Sequence, residues 1–110
     1  MKHKYGEFSK NQISLTKQRL RREVFFLLLC VDPKTKDEYQ DVDVNAAIRG
    51  LLYKLGGLNS VLFEPPALVL AISLLEEAMS QYNKTNFDFM AYRKLILDAG
   101  AQILKIEEEW

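Results

Sequence analysis

The sequence predicts an all-α protein folded as a compact bundle of four main helices. Four segments place apolar residues at spacings of three and four, which collects them on one face of a helix. Capping residues, prolines or glycines bound these segments, and none shows the strict alternation of a half-buried strand. The predicted helices span about residues 10–32, 44–55, 66–82 and 89–108, and a short helical turn is predicted near 59–63.

Length and composition predict one domain. The chain has 110 residues, 48% hydrophobic and 27% charged, with a net charge of zero, which is typical of a protein that buries its own core. Positive charge is concentrated at the front, because seven of the 15 lysines and arginines lie in residues 1–22. We expect residues 1–110 to form a single helical domain in which residues 1–8 are a mobile basic tail.

The first helix has a start signal at Ser9. Ser9 and Gln12 are predicted to form a capping box, and Phe8 with Ile13 the hydrophobic staple around it. Pro33 is expected to stop this helix at residue 32. Its main apolar stripe consists of Ile13, Leu20, Val24, Leu27 and Val31.

An uninterrupted apolar run, residues 24–31, gives the first helix a second apolar face. At 100° per residue, Leu15, Phe26 and Leu29 point roughly opposite the main stripe. A helix that is apolar on both sides is buried on both sides. This face therefore belongs either to the protein's own core or to an interface with a partner chain, and the sequence leaves both alternatives open. The candidate interface residues are Leu15, Arg22, Phe26 and Leu29.

The second helix has a start signal and a stop signal. Asp43 is predicted to be its N-cap, since a carboxylate there accepts hydrogen bonds from the first free N–H groups. Gly56 is predicted to end it by taking a left-handed conformation, with Leu58 supplying the accompanying apolar contact. The apolar stripe between them consists of Val44, Ala47, Ile48, Leu51, Leu52 and Leu55.

The third and fourth helices are also bounded by local signals. Pro65 and Pro66 suit the first turn of the third helix, where a missing N–H leaves no hydrogen bond unmade. Asp88 is predicted to cap the fourth helix, and Phe87 to staple it by contacting Tyr92. The fourth helix has its apolar residues at Phe89, Tyr92, Ile96, Ala99, Ile103, Ile106 and Trp110.

The sequence contains few residues of the types that catalytic sites use. His3 is the only histidine, which excludes a Ser-His pair and a multi-histidine metal site by count. The only cysteine, Cys30, lies inside the apolar run and is interpreted as a buried, inert thiol. We therefore expect no enzyme activity and no cofactor.

A calcium site is also not expected. Asp41, Asp43 and Asn45 have the opening spacing of a calcium-binding loop. Such a loop requires glycine and glutamate at later positions that Ala46 and Leu52 occupy here.

The preferred functional hypothesis is a small non-enzymatic interaction module or assembly subunit that self-associates through the first helix. Its partner would be a second copy or another protein. A cytoplasmic location is expected from the single cysteine, and no membrane contact is expected because a bilayer span needs about 20 apolar residues.

The alternative hypothesis is a nucleic-acid-binding accessory protein that uses the basic N-terminal region. Helical spacing places Arg19 and Arg22 on sides that differ from that of the other basic residues, which weakens this hypothesis. The candidate contacts are Lys10, Lys17, Arg19, Arg21 and Arg22.

Overall fold

The structure, a computed structural model, describes residues 2–3, 6–7, 10–62 and 64–106; the surroundings of side chains are described for 14–60, 62 and 64–106. It confirms the all-α bundle. The four helices are α1 (Lys10–Leu29), α2 (Val44–Val61), α3 (Pro66–Tyr82) and α4 (Phe89–Leu104). A 3₁₀ turn, Lys36–Tyr39, lies between α1 and α2.

A short antiparallel ladder precedes the bundle. Strand β1 (Lys2–His3) pairs with strand β2 (Gly6–Glu7), with Lys2 opposite Glu7 and His3 opposite Gly6. The mobility expected for residues 1–8 stays a prediction. The predicted capping box at Ser9 and the staple at Phe8 lie outside the described residues.

The helices pack in a ring. α3 and α4 have the most extensive contact, α4 also packs on α1, and α2 packs on α3. The contact between α1 and α2 is the sparsest of the four. The Asn45 and Asn83 amides exchange hydrogen bonds of 3.0 and 2.7 Å and so join the start of α2 to the end of α3.

The core is built from the predicted stripes. Apolar burial of this kind contributes about 25 cal/mol per Å² of area removed from water, and it is the main force that holds the helices together. The side chains with less than 2% exposure include Val24, Leu27, Ile48, Leu55, Leu68, Leu75, Tyr92, Ile96 and Ile103.

The N-caps predicted for α2 and α4 are confirmed. The Asp43 carboxylate accepts a hydrogen bond of 3.1 Å from the Ala46 N–H. The Asp88 carboxylate accepts bonds of 3.0 and 3.4 Å from the N–H groups of Met90 and Ala91. The staple at the start of α4 is also present, since the rings of Phe87 and Tyr92 lie 5.8 Å apart. α4 itself ends at Leu104, earlier than predicted, and residues 107–108 lie outside the described part.

α1 ends three residues earlier than predicted, at Leu29. The Asp32 side chain accepts a 2.9 Å bond from the Lys34 N–H, which favours a turn over a further helical turn. The Thr35 hydroxyl donates a 2.7 Å bond to the Leu29 carbonyl and so satisfies one of the free carbonyls at the helix end.

The prediction that Gly56 ends α2 is wrong, because α2 continues to Val61 and includes both Gly56 and Gly57. Leu62, just beyond the helix end, is buried and extends the apolar stripe of Leu55 by two further helical turns. Burial of Leu62 contributes about 1.5–3 kcal/mol and partial burial of Leu58 adds to it, which together offset the cost of about 2 kcal/mol for two helical glycines. The turn predicted near residues 59–63 is therefore the last turn of α2.

Candidate interaction surface

The outward side of α1 carries a row of exposed residues at alternating spacings of three and four. We call this row the outer seam; it consists of Leu15, Gln18, Arg22, Phe25 and Leu29. Leu15 is 61% exposed, and Phe25 and Leu29 are each 38% exposed. This spacing is the one by which one helix packs along another, so the seam has the pattern of a partly exposed helix-packing face.

The apolar run of residues 24–31 is divided between core and surface. Val24, Leu27 and Cys30 are buried in the core, whereas Phe25 and Leu29 are exposed on the outer seam. The remaining three residues, Phe26, Leu28 and Val31, are partly buried against the core. The run therefore contributes side chains both to the core and to the exposed surface of α1.

Three of the four candidate interface residues lie on the outer seam: Leu15, Arg22 and Leu29. The fourth, Phe26, is partly buried and packs edge-to-face on the ring of Tyr39, with centroids 5.5 Å apart. The neighbouring Phe25 is the aromatic residue of the seam, and sequence reasoning missed it. Counting three and four from Leu15 would have found it.

A groove lies between α1 and α2, where the two helices are sparsely packed. Its volume is about 330 Å³. Its lining combines the apolar side chains of both helices with charged residues at the edge: Arg22, Glu23, Phe26, Leu27, Ala46, Ala47, Gly50, Leu51 and Lys54.

Glu23 lines this groove, and only one of its two carboxylate oxygens has a hydrogen-bond partner among the described residues. Oε1 of Glu23 accepts a 2.6 Å bond from the Lys54 ammonium, which joins α1 to α2. Oε2 of Glu23 is buried and has no hydrogen-bond partner among the described residues. A buried acceptor without a donor costs about 1–3 kcal/mol, so the Glu23–Lys54 pair stabilises the α1–α2 contact at the expense of one unsatisfied oxygen.

The candidate nucleic-acid contacts do not gather on one face. Arg19 and Arg22 are exposed, whereas Lys17 and Arg21 are half-buried. The Arg21 guanidinium lies over the Phe25 ring, 5.3 Å from its centroid. The side chain of Lys10 lies outside the described surroundings. The described part of the basic region is therefore spread around α1.

The two groups with shifted pKa values belong to the core. Burial raises the pKa of the Cys30 thiol. Burial also raises the pKa of the Tyr92 hydroxyl well above its usual value, with smaller contributions from Cys30 and Tyr82. A raised pKa keeps both groups protonated, which is the opposite of what a thiolate or phenolate nucleophile requires.

The described residues contain neither a cluster of metal ligands nor a bilayer-spanning helix. No group of three or more His, Cys, Asp or Glu side chains gathers there to hold a metal ion. Within the same ranges, none of the helices has both the length and the hydropathy that a bilayer-spanning segment needs.

Comparison with known proteins adds no assignment: no family model matches the chain, and neither a curated protein nor a solved structure matches it significantly.

Proposed function

We propose that this protein is a small, non-enzymatic interaction module that forms homodimers through the outer seam of α1. The observation that carries the proposal is the unbroken exposure of Leu15, Gln18, Arg22, Phe25 and Leu29 at helix-packing spacing. Single exposed apolar residues are ordinary on a protein surface, but a row at this spacing is a feature of helix–helix interfaces.

A second copy of the chain is the simplest partner for this seam. The seam has Arg22 at its middle and a leucine seven residues to either side, Leu15 and Leu29. An antiparallel pair about a two-fold axis beside Arg22 would place Leu15 of each copy opposite Leu29 of the other, and two-fold dimers are the commonest oligomers. The two Arg22 side chains meet at that axis, so their charged ends must remain in solvent.

The proposal is tested by sedimentation of Leu15→Asp and Leu29→Asp. Both side chains are exposed, so the monomer should fold as before while a charge enters the interface. We expect both variants to be monomers with unchanged circular dichroism, at concentrations where the natural chain is a dimer.

Met90→Asp is the matched control for these variants. Met90 is 64% exposed and lies on α4, away from the outer seam. The Met90→Asp variant should remain a dimer. Equal effects of Met90→Asp and Leu29→Asp would mean that the seam is not the interface.

The alternative hypothesis, nucleic-acid binding, is tested separately. It predicts that DNA or RNA is retarded at low salt and released as salt rises, and that reversal of Arg19, Arg21 and Arg22 abolishes the effect. Unchanged migration of nucleic acid at low salt contradicts that hypothesis.

A further inference from the structure

The α1–α2 groove has charged residues at one end and apolar residues at the other. The bond between Glu23 and Lys54 marks the charged end, where Arg22 also lines the groove. Phe26 lies one helical turn after Arg22 on α1, and Ala46 lies two turns before Lys54 on α2. Both steps run toward the connection between the two helices. The groove is therefore amphipathic along its length.

The apolar part of the groove has the size and the opening that a small ligand needs. Leu27 and Leu51 line it from the core side and are buried, whereas Gly50 lies at its exposed rim. Its volume of about 330 Å³ falls within the range of ligand pockets, about 300–1,000 Å³. Water held against apolar walls is released when an apolar group replaces it, which favours the binding of an alkyl chain.

The charged end of the groove has a net positive charge. Glu23 and Lys54 neutralise each other at 2.6 Å, whereas Arg22 is exposed and forms no ion pair among the described residues. The Lys54 ammonium has three N–H groups, and one of them donates to Glu23. Donors of Arg22 and Lys54 therefore remain for a ligand, and a guanidinium matches the two oxygens of a carboxylate in particular.

We propose that the α1–α2 groove binds a free aliphatic carboxylate of medium chain length. Its carboxylate accepts hydrogen bonds from Arg22 and Lys54, and its alkyl chain lies along the groove toward Phe26 and Ala46. The eight residues from Ala46 to Lys54 span about 12 Å of α2, a length that suits a linear chain better than a compact ring. The inference goes beyond the proposed function and does not depend on it, because the groove and the outer seam share only Arg22.

Isothermal titration calorimetry with octanoate tests the proposal on the natural chain. Acetate carries the head group without the chain, and octylammonium carries the chain with the opposite charge. We expect octanoate to bind at one site per chain and both comparison ligands to bind at least about tenfold more weakly, because each lacks one of the two interactions. A natural chain that binds no octanoate, or that binds octylammonium as tightly, would overturn the inference.

Gly50→Leu locates the site. A Cβ added at Gly50 meets no atom within 4 Å, so a leucine side chain can take the place of the ligand without displacing the protein. Gly57→Leu is the matched control, because Gly57 is equally open and exposed on α2 but does not line the groove. We expect only Gly50→Leu to abolish octanoate binding, with circular dichroism showing that both variants are folded. Equal affinities of the two variants for octanoate would overturn the inference.

Arg22→Gln tests the position of the carboxylate. Removing the charge of Arg22 should weaken octanoate binding by about tenfold or more, because a charge-assisted hydrogen bond is lost. Arg19→Gln is the control, since Arg19 is exposed one turn earlier on α1 and does not line the groove. Equal affinity of Arg22→Gln and the natural chain would contradict the proposed orientation. A monomeric natural chain that binds octanoate would overturn the proposed dimer and leave this inference standing.

Discussion

The Tyr92 hydroxyl donates a buried hydrogen bond of 2.8 Å to the Leu27 carbonyl and so joins α4 to the last turn of α1. The Leu27 carbonyl is free for this bond because the Val31 N–H turns to the Leu28 carbonyl instead. The last carbonyls of a helix lack intrahelical partners, and a buried one must find a donor elsewhere. Tyr92 supplies that donor, and its ring fills the core at the same point.

Replacing Tyr92 with phenylalanine should lower the free energy of unfolding by about 1–3 kcal/mol, since it leaves a buried carbonyl without a donor while keeping the ring. Urea denaturation measures this change. Tyr53→Phe is the control: Tyr53 is 87% exposed, so this substitution should leave the free energy of unfolding unchanged. Equal stability of Tyr92→Phe and the natural protein would show that the bond contributes nothing net.

Alkaline pH should destabilise the protein through Tyr92. Its pKa is raised in the fold, while in the unfolded chain a tyrosine ionises near pH ~10. The contribution of Tyr92 to the free energy of unfolding is fully present below that pH. It is lost as the pH rises further, because the unfolded chain then releases a proton that the folded chain retains.

The measurement is the unfolding free energy of the natural protein and of Tyr92→Phe between neutral pH and about pH 11. We expect the unfolding free energy of the natural protein to fall more steeply above pH ~10, by up to about 1.4 kcal/mol per pH unit. The stability difference between the natural protein and Tyr92→Phe therefore shrinks. Cys30, whose pKa is also raised, contributes equally to both curves. Parallel curves would contradict the prediction.

Gly56→Ala and Gly57→Ala should each stabilise the protein by about 0.5–1 kcal/mol. Both glycines lie inside α2 on its exposed side, and a methyl group at either meets no atom within 4 Å. Alanine has the higher helix propensity and costs less conformational entropy. Thermal unfolding checks this. Destabilisation would mean that α2 ends at Leu55, as the stretch LGGL alone suggests.

Glu64→Gly should also stabilise the protein, by up to about 1 kcal/mol. Glu64 has a φ of 58°, in the left-handed region, and donates its N–H to the Asn59 carbonyl at 2.8 Å. An L side chain is strained there and glycine is not. Glu64→Ala keeps the strain and serves as the control in thermal unfolding. A loss of stability in Glu64→Gly would contradict the left-handed conformation.

The parts of the fold that depend on local chemistry were predictable from the sequence. Asp43 and Asp88 cap their helices as predicted, because a side-chain cap involves only the next three residues. The apolar stripes were predictable for the same reason, since helical periodicity alone decides which residues share a face.

The rest depended on contacts between distant residues. Gly56 has the local signature of a helix end, but the burial of Leu62 in the core carries the helix past it. Phe25 and Phe26 are neighbours in the sequence, but only Phe26 is covered, because Tyr39 from the connection after α1 packs on its ring. The bond between Glu23 and Lys54 joins residues 31 positions apart, which no local pattern in the sequence predicts.

Sedimentation equilibrium of the natural chain over a wide concentration range tests the central proposal most directly. The account predicts a reversible monomer–dimer equilibrium that Leu29→Asp abolishes without unfolding the chain. A folded protein that remains monomeric at the highest concentration it tolerates would contradict the proposed self-association through α1.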